Sequence, residues 1–354
     1  MFDVAVIGAG MAGLICANQL RLAGYSVVVV EKSRGVGGRV ATRRVNGTRA
    51  DHGARYLEHQ GDAVQGLIDV LLDRDILKLW TDTVCEFRQG ELFSSPNCCY
   101  VAPAGMNAVG KYLAEGLEIW SGRRVQAISA SESQLWRLSL EVTDDNLERP
   151  QELFAKAIVV AIPAPQALMF LTAEIGFLPD FIEKLRSVEY DPCITVMAGY
   201  SAEREQDLSG LNSWWKTISF PDDSELAWIG FDSSKRLESA QPVFVVHSSA
   251  SFAESYFEAT DLSGVGQHLL DRTSENLIPW LKQPEWFQVH RWRYAFCRNP
   301  LPVSCLPAAG TLPLVCAGDL CGEGQIEAAL RSGLAAANWV NSQLQNLPLD
   351  SSVK

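Results

Sequence analysis

The stretch "VAVIGAGMAGLICANQL" (residues 4–20), followed by "SVVVVEK" (26–32), decides the fold. An apolar run, three glycines, an amphipathic run and a second apolar run ending in an acid is the order of a strand, turn, helix and strand that bind a dinucleotide. In "GAGMAG", Gly8 permits the tight turn, Gly10 lets the backbone approach a pyrophosphate, and Gly13 lets helix and strand pack closely. The helix N-terminus adds free N–H groups and the positive end of its dipole. Leu14, Ala17 and Leu20 face inward, and Gly24 stops the helix. Glu31 lies eighteen residues past Gly13, near the place where an acid accepts hydrogen bonds from ribose hydroxyls. NAD and FAD both satisfy these residues.

The next segment divides them. "KSRGVGGRVATRR" opens with Lys32 directly after the ribose acid, and its glycine pair, ending at Gly38, is closed by Arg39. Such a segment folds back over the pyrophosphate with Arg39 as counter-charge, a cover that an ordinary NAD site does not need. At the far end, "PLVCAGDLCGEGQIEAALRSGLAAANWV" predicts a strand over 312–316, a turn with Gly318 and Asp319, and a long helix from about Gln325. Asp319 is suited to a polyol hydroxyl. The first helical turn, with Glu327 and Ala328, points its dipole at the flavin N1/C2=O edge, where negative charge develops on reduction. Two nucleotide-facing turns at opposite ends of the chain predict FAD lying across one doubly wound sheet.

With 354 residues and 47% hydrophobic content, two domains are expected. A net charge of −12 argues against nucleic acid and against an anionic membrane surface. The strand pattern begins by Asp3 and the longest apolar stretch is broken by Pro163 and Pro165, so a cytosolic protein with no membrane span is expected. Nine scattered cysteines fit reduced thiols, and Cys316 with Cys321 read as a strand thiol and a loop thiol. Five histidines without H-x3-H or C-x2-C spacing predict no metal site. The helical period of 61–80 opens an insertion, 193–200, 226–234 and 242–250 predict strands, 261–281 a helix, and the tail 346–354 reads as disordered.

On "VIGAGMAG", "GGRVATRR", "ADHGARYL", "YVAPAGMNAV", "RRVQAI", "VVAIPAPQAL", "VVHSSASFAESYFE" and "HRWRYA", the chain resembles the renalases within the flavin amine oxidase superfamily. The resemblance implies a Rossmann-like α/β FAD-binding domain with an inserted α+β substrate domain, as in the amine oxidase and p-hydroxybenzoate hydroxylase type. The FAD domain is then discontinuous (1–60, 100–165 and 300–354), and 61–99 with 166–299 form a sheet floor over the flavin. It also implies non-covalent FAD touched by the backbone near Ala12, by Arg39, by Arg55 and Tyr56, and by the backbone of Val125 at the adenine. The activity implied is oxidation of dihydronicotinamide dinucleotides that carry hydride at the 2- or 6-position, with O2 reduced to H2O2. An amine oxidase or carotenoid-type desaturase uses the same architecture.

Hydride transfer from a dihydropyridine needs no base and no metal, so the expected pocket is aromatic and polar: His247, Trp292, Arg293 and Tyr294. Alternation puts His290, Trp292 and Tyr294 on one strand face and Arg291 with Arg293 on the other, so only one face meets the ligand. His247 on its apolar strand is expected to be buried and neutral.

Overall fold

The computed structural model describes residues 1–142, 150–172, 176–210 and 215–349. Its first sheet has eight strands, with the path Leu306–Pro307, Leu314–Cys316, Glu152–Val160, Phe2–Ile7, Val27–Val30, Glu118–Trp120. The hairpin Arg123–Ala130/Trp136–Val142 joins it through Glu152–Val160. From Leu314–Cys316 to Glu118–Trp120 the strands run parallel. Parallel strands are covered on both faces, which is why "VVVV" and "VAVI" are apolar at every position instead of alternating.

One face carries the helices Met11–Leu22, Asp62–Asp73, Asn107–Leu113 and Gln325–Gln343. The last of these crosses the first so closely that a Cβ on Gly333 would sit 2.4 Å from the Ala12 carbonyl oxygen. The other face packs Trp120, Trp136, Phe177 and Phe181. The residue-61 boundary expected for the substrate domain needs correction, because Val64, Leu67, Ile68 and Leu71 of the Asp62–Asp73 helix lie in the first core. That helix also ends sooner than expected, and Lys78–Arg88 is a strand.

The second sheet has seven strands in the order Trp286–Cys297, Tyr190–Gly199, Val243–Ser248, Leu226–Phe231, Thr217–Ser219, Lys78–Arg88, Glu91–Val101. Its period of two sorts the side chains. Ile194, Val196, Phe244 and Val246 pack in the core with Leu269 and Leu270 of the Ser263–Asn276 helix. Met197, Trp228, Val243 and Val245 face the small hairpin Thr42–Val45/Thr48–Asp51 through Val45 and Ala50.

Four charges are enclosed at this seam: Asp51, Asp232, Lys235 and Arg236. Lys235 Nζ lies 2.8 Å from Asp232 and 3.5 Å from Asp51, and Arg236 is 2.9 Å from Asp51 and 2.7 Å from Asp232. Of the tail expected to be disordered, Leu347 exchanges hydrogen bonds with the Asn341 side chain, while 350–354 lie outside the described residues.

Candidate active site

A cleft of about 1390 Å³ opens where the parallel strands end, at Gly8, Glu31, Ala161 and Ala317, and runs across to Cys193, His247 and Trp292 of the second sheet. The C-terminal edge of a parallel sheet is where such folds bind ligands. Gly8 turns with φ +103°, and a Cβ on Gly13 would lie 2.0 Å from the Gly8 oxygen, so the close helix approach expected there is present. Gly10 differs: its Cβ would meet nothing of the chain within 4 Å, leaving bare backbone toward the cleft. Glu31 accepts hydrogen bonds from Ala9 N and Ser33 N, each at 2.8 Å. The glycine pair folds back as expected, with Gly37 N donating to Ala9 O at 2.8 Å. Ala12, Lys32 and Gly38 line the same end.

Arg39 and Asp319, expected to meet different parts of a ligand, meet each other. The guanidinium holds the carboxylate in two bonds of 2.6 and 2.8 Å and also donates to Ala295 O at 3.1 Å. This fork ties the two ends of the chain to the Trp286–Cys297 strand. Gly318 lines the cleft beside it, with its N–H donating to Ser332 Oγ at 3.0 Å.

Two expected positions, Glu327 and Ala328, turn away from the cleft. Glu327 accepts from Ala63 N and Val64 N, capping the Asp62–Asp73 helix. Ala328 is buried with it, and Gln325, Ile326 and Ala329 line the cleft in their place. The 100° advance per helical residue turns 327 and 328 inward, a phase that the motif alone does not reveal. Val125 buries its side chain in the core on the other side of the first sheet, which bears on its side chain and not on the backbone contact expected of it at the adenine.

The register of the second sheet builds the floor. Trp228 pairs with His247, His247 with Thr195, and Thr195 with His290, while Cys193 pairs with Trp292. Directly paired residues share a face, so His247, His290 and Trp292 reach the cleft together. His247 is buried, and its Nδ1 accepts from Arg55 Nε at 3.4 Å. Its Nε2 has no partner among the described residues. Burial, then the charges of Arg55 and Lys235, hold the ring well below the usual histidine range, so it is neutral with its proton on Nε2.

Arg55 lies 5.1 Å over the Trp228 ring, and its carbonyl accepts from Lys235 Nζ at 2.8 Å. Tyr56 lines the cleft and packs on Trp80, and burial pushes its phenol up. Tyr294 lines the cleft with its ring edge-on to Tyr190.

His52, which the sequence reading left without a separate role, stacks on Trp292 at 5.4 Å, and His290 stands edge-on to both. Burial lowers His52 to about 3 and His290 to about 4, with Arg43 adding to each. Arg293 also lines the cleft, but alternation turns its guanidinium away from Trp292, 4.2 Å over the Phe257 ring and 3.4 Å from Glu258.

Residues 6–71 match the NAD(P)-binding Rossmann-like domain family, and residues 81–341 match the flavin-containing amine oxidoreductases. The chain belongs to the flavin-containing amine oxidoreductase family. Its cofactor is FAD, and the cleft fits it: bare backbone at Gly10, a buried acid at Glu31, and a length reaching both sheets. Among curated relatives, a putative flavin-containing monoamine oxidase of Mycobacterium tuberculosis is 46% identical over 65 residues, 18% of this chain and 14% of that protein. Putrescine oxidase of Kocuria rosea is 33% identical over 103 residues, 29% of this chain and 19% of that one. These matches thus span less than a fifth of either relative.

Solved structures share the fold along nearly the whole chain. Putrescine oxidase bound to putrescine has a TM-score of 0.70 at 16% identity, covering 96% of this chain and 99% of that one. Cyclohexylamine oxidase from Brevibacterium oxydans IH-35A has 0.70 at 14%, covering 97% and 99%. Among the described residues no helix is long and apolar enough to cross a membrane, and no cluster of His, Cys, Asp and Glu could hold a metal.

Proposed function

We propose that this FAD-dependent oxidoreductase is a cytosolic oxidase of isomeric dihydronicotinamide dinucleotides, the 2- or 6-dihydro forms of NAD(P), with O2 as electron acceptor and H2O2 as product. The observation that carries the reading is the charge of the cleft. Lys32, Arg34, Arg43, Arg44, Arg49, Arg55, Lys111, Arg291 and Arg293 line it beside the self-neutralising pair Arg39–Asp319, against only Glu31 and Glu58 among the described residues. This is a basic cleft in a chain of net charge −12. An alkylamine is a cation near neutral pH and is repelled by such a lining. One dinucleotide cofactor neutralises two of these charges, and the surplus suits a second phosphorylated ligand.

In this reading Gly8, Gly10 and Ala12 present backbone to the cofactor pyrophosphate, Gly13 lets the helix pack close behind them, Glu31 holds a ribose, and Arg39, Arg55, Tyr56 and Gly318 with Asp319 lie along its length. The first sheet with its helices is the cofactor half and the second sheet is the substrate floor. Bound FAD supplies the hydride acceptor and passes the electrons to O2. The chain's own residues bind and orient. Trp292 with His52 and His290 offers a flat wall to the nicotinamide ring, and the neutral His247 offers Nε2–H to a carbonyl oxygen. No residue has to take a proton, because the donor becomes an aromatic cation when hydride leaves.

The test is anaerobic stopped-flow absorbance of the holoprotein with borohydride-generated NADH isomers, ordinary NADH, putrescine and cyclohexylamine. Rapid flavin bleaching by the isomers, with slow reduction by NADH and none by the amines, is expected. Bleaching by amines alone would replace this reading with amine oxidation.

A further inference from the structure

The Thr42–Asp51 hairpin places Arg43 differently from its neighbours Arg44 and Arg49. Arg43 pairs across the hairpin with Ala50 and shares its face with Val45. Val45 and Ala50 pack on Met197, Trp228, Val243 and Val245 of the second sheet, so this face looks toward the floor. Arg44 and Arg49, opposite each other in the register, take the other face and are exposed.

Arg43 is half-buried and lines the cleft, and its charge bears on His52 and His290, which stand against Trp292. Two other arginines set into the structure have anionic partners, Arg39 with Asp319 and Arg236 with Asp51 and Asp232, while Arg55 lies over the Trp228 ring and donates to His247. For Arg43 no hydrogen bond or ion pair is present among the described residues. A half-buried guanidinium without an anionic partner gains from an anion that joins it. The anion that suits its planar fork is a phosphate.

We propose that Arg43 is the specificity-determining anchor of the substrate site. It binds the phosphate carried by a nicotinamide nucleotide whose ring lies on the Trp292 wall, so that the site selects phosphorylated dihydropyridines over phosphate-free ones. The proposal rests on the nicotinamide reading above. Arg43 holds the ligand and takes no part in hydride transfer.

The test is calorimetric titration of the FAD-loaded protein and its R43Q and R43K variants with nicotinamide mononucleotide and with nicotinamide riboside, which lacks the phosphate. A charge-assisted bond predicts that wild type prefers the mononucleotide on the order of 10- to 100-fold. R43Q should reduce that preference to about 3-fold or less while riboside affinity holds, and R43K, a point charge without the fork, should fall between. Flavin content and thermal melts establish that each variant is folded, and R43K carries the test if R43Q is not. A wild-type preference that survives in the variants overturns the assignment and leaves the nicotinamide reading standing, as does equal binding of both probes by wild type. If wild type binds neither probe and the dihydro isomers leave the flavin oxidised, the nicotinamide reading fails and this assignment fails with it.

Discussion

Lys235→Met removes the ammonium from a four-charge cluster that solvent does not reach. Wild type balances Asp51 and Asp232 against Lys235 and Arg236, all nearly or fully inaccessible. The variant leaves two carboxylates to share Arg236, one uncompensated buried negative charge, and losses from such half-removals are about 3–5 kcal/mol. An unfolding entropy of ~2.1 cal/mol/K per residue over 354 residues is on the order of 0.7 kcal/mol/K, so the melting temperature should fall by about 4–7 °C. Burial already holds Asp232 above its usual range. In the variant it takes up a proton as pH falls, so the penalty is full above its folded pKa and shrinks on acidification.

The readout is thermal unfolding of the holoprotein followed by flavin fluorescence, with Asp232→Asn and the double variant completing the cycle. The double variant again balances its charges and should melt within about 2 °C of wild type. If it instead shows the sum of the two single losses, the cost comes from packing and the charge argument is refuted. A Lys235→Met melt within about 1 °C of wild type refutes it as well.

Further outcomes separate scaffold from site. Gly13→Ala, whose Cβ would sit 2.0 Å from the Gly8 oxygen, should yield little folded protein, whereas Gly10→Ala meets no chain atom within 4 Å and should fold yet lose flavin, read as the ratio of flavin to protein absorbance. Glu327→Ala removes the acceptor for Ala63 and Val64 N–H and should cost about 1–2 kcal/mol in denaturant melts, with flavin affinity retained. His247, His52 and His290 have depressed folded-state pKa values, the last two at about 3 and about 4. Their neutral forms therefore contribute stability that is present above the unfolded histidine range near ~6.5 and is lost as pH falls toward 4. A melting temperature that stays flat from pH 7 to pH 4.5 would contradict that burial.

The dinucleotide end was readable because each glycine there answers a local constraint. The turn at Gly8, the contact at Gly13 and the open backbone at Gly10 all follow from spacing within one motif. The floor was half readable: strand alternation separated Trp292 and His290 from Arg293, yet nothing in "HRWRYA" tells which face meets the cleft, since that depends on the register with Tyr190–Gly199. The partnership of Arg39 with Asp319 joins residues far apart in the chain, and each had a credible ligand of its own. Glu327 misled because an acid in a first helical turn satisfies either a ligand or a neighbouring helix, and only tertiary packing chooses. The run "DSSKR" at 232–236, partly inside the strand expected over 226–234, carries no local sign that its charges are buried; they are interior because Asp51 arrives from a hairpin nearly two hundred residues earlier.

The crossing of the final helix over the first has a consequence for biosynthesis. Leu14 and Ile15 of the first helix lie in a core completed by Leu330, Ala336 and Val340, which the ribosome makes roughly three hundred residues later. Strand Leu314–Cys316 likewise joins the sheet beside Glu152–Val160, a strand made well over a hundred residues before it. Cofactor loading therefore waits for this far segment, which brings Ala317, Gly318 and Asp319 to the cleft. Until then the nascent amino-terminal unit carries an uncovered apolar helix face, the kind of surface that chaperones hold.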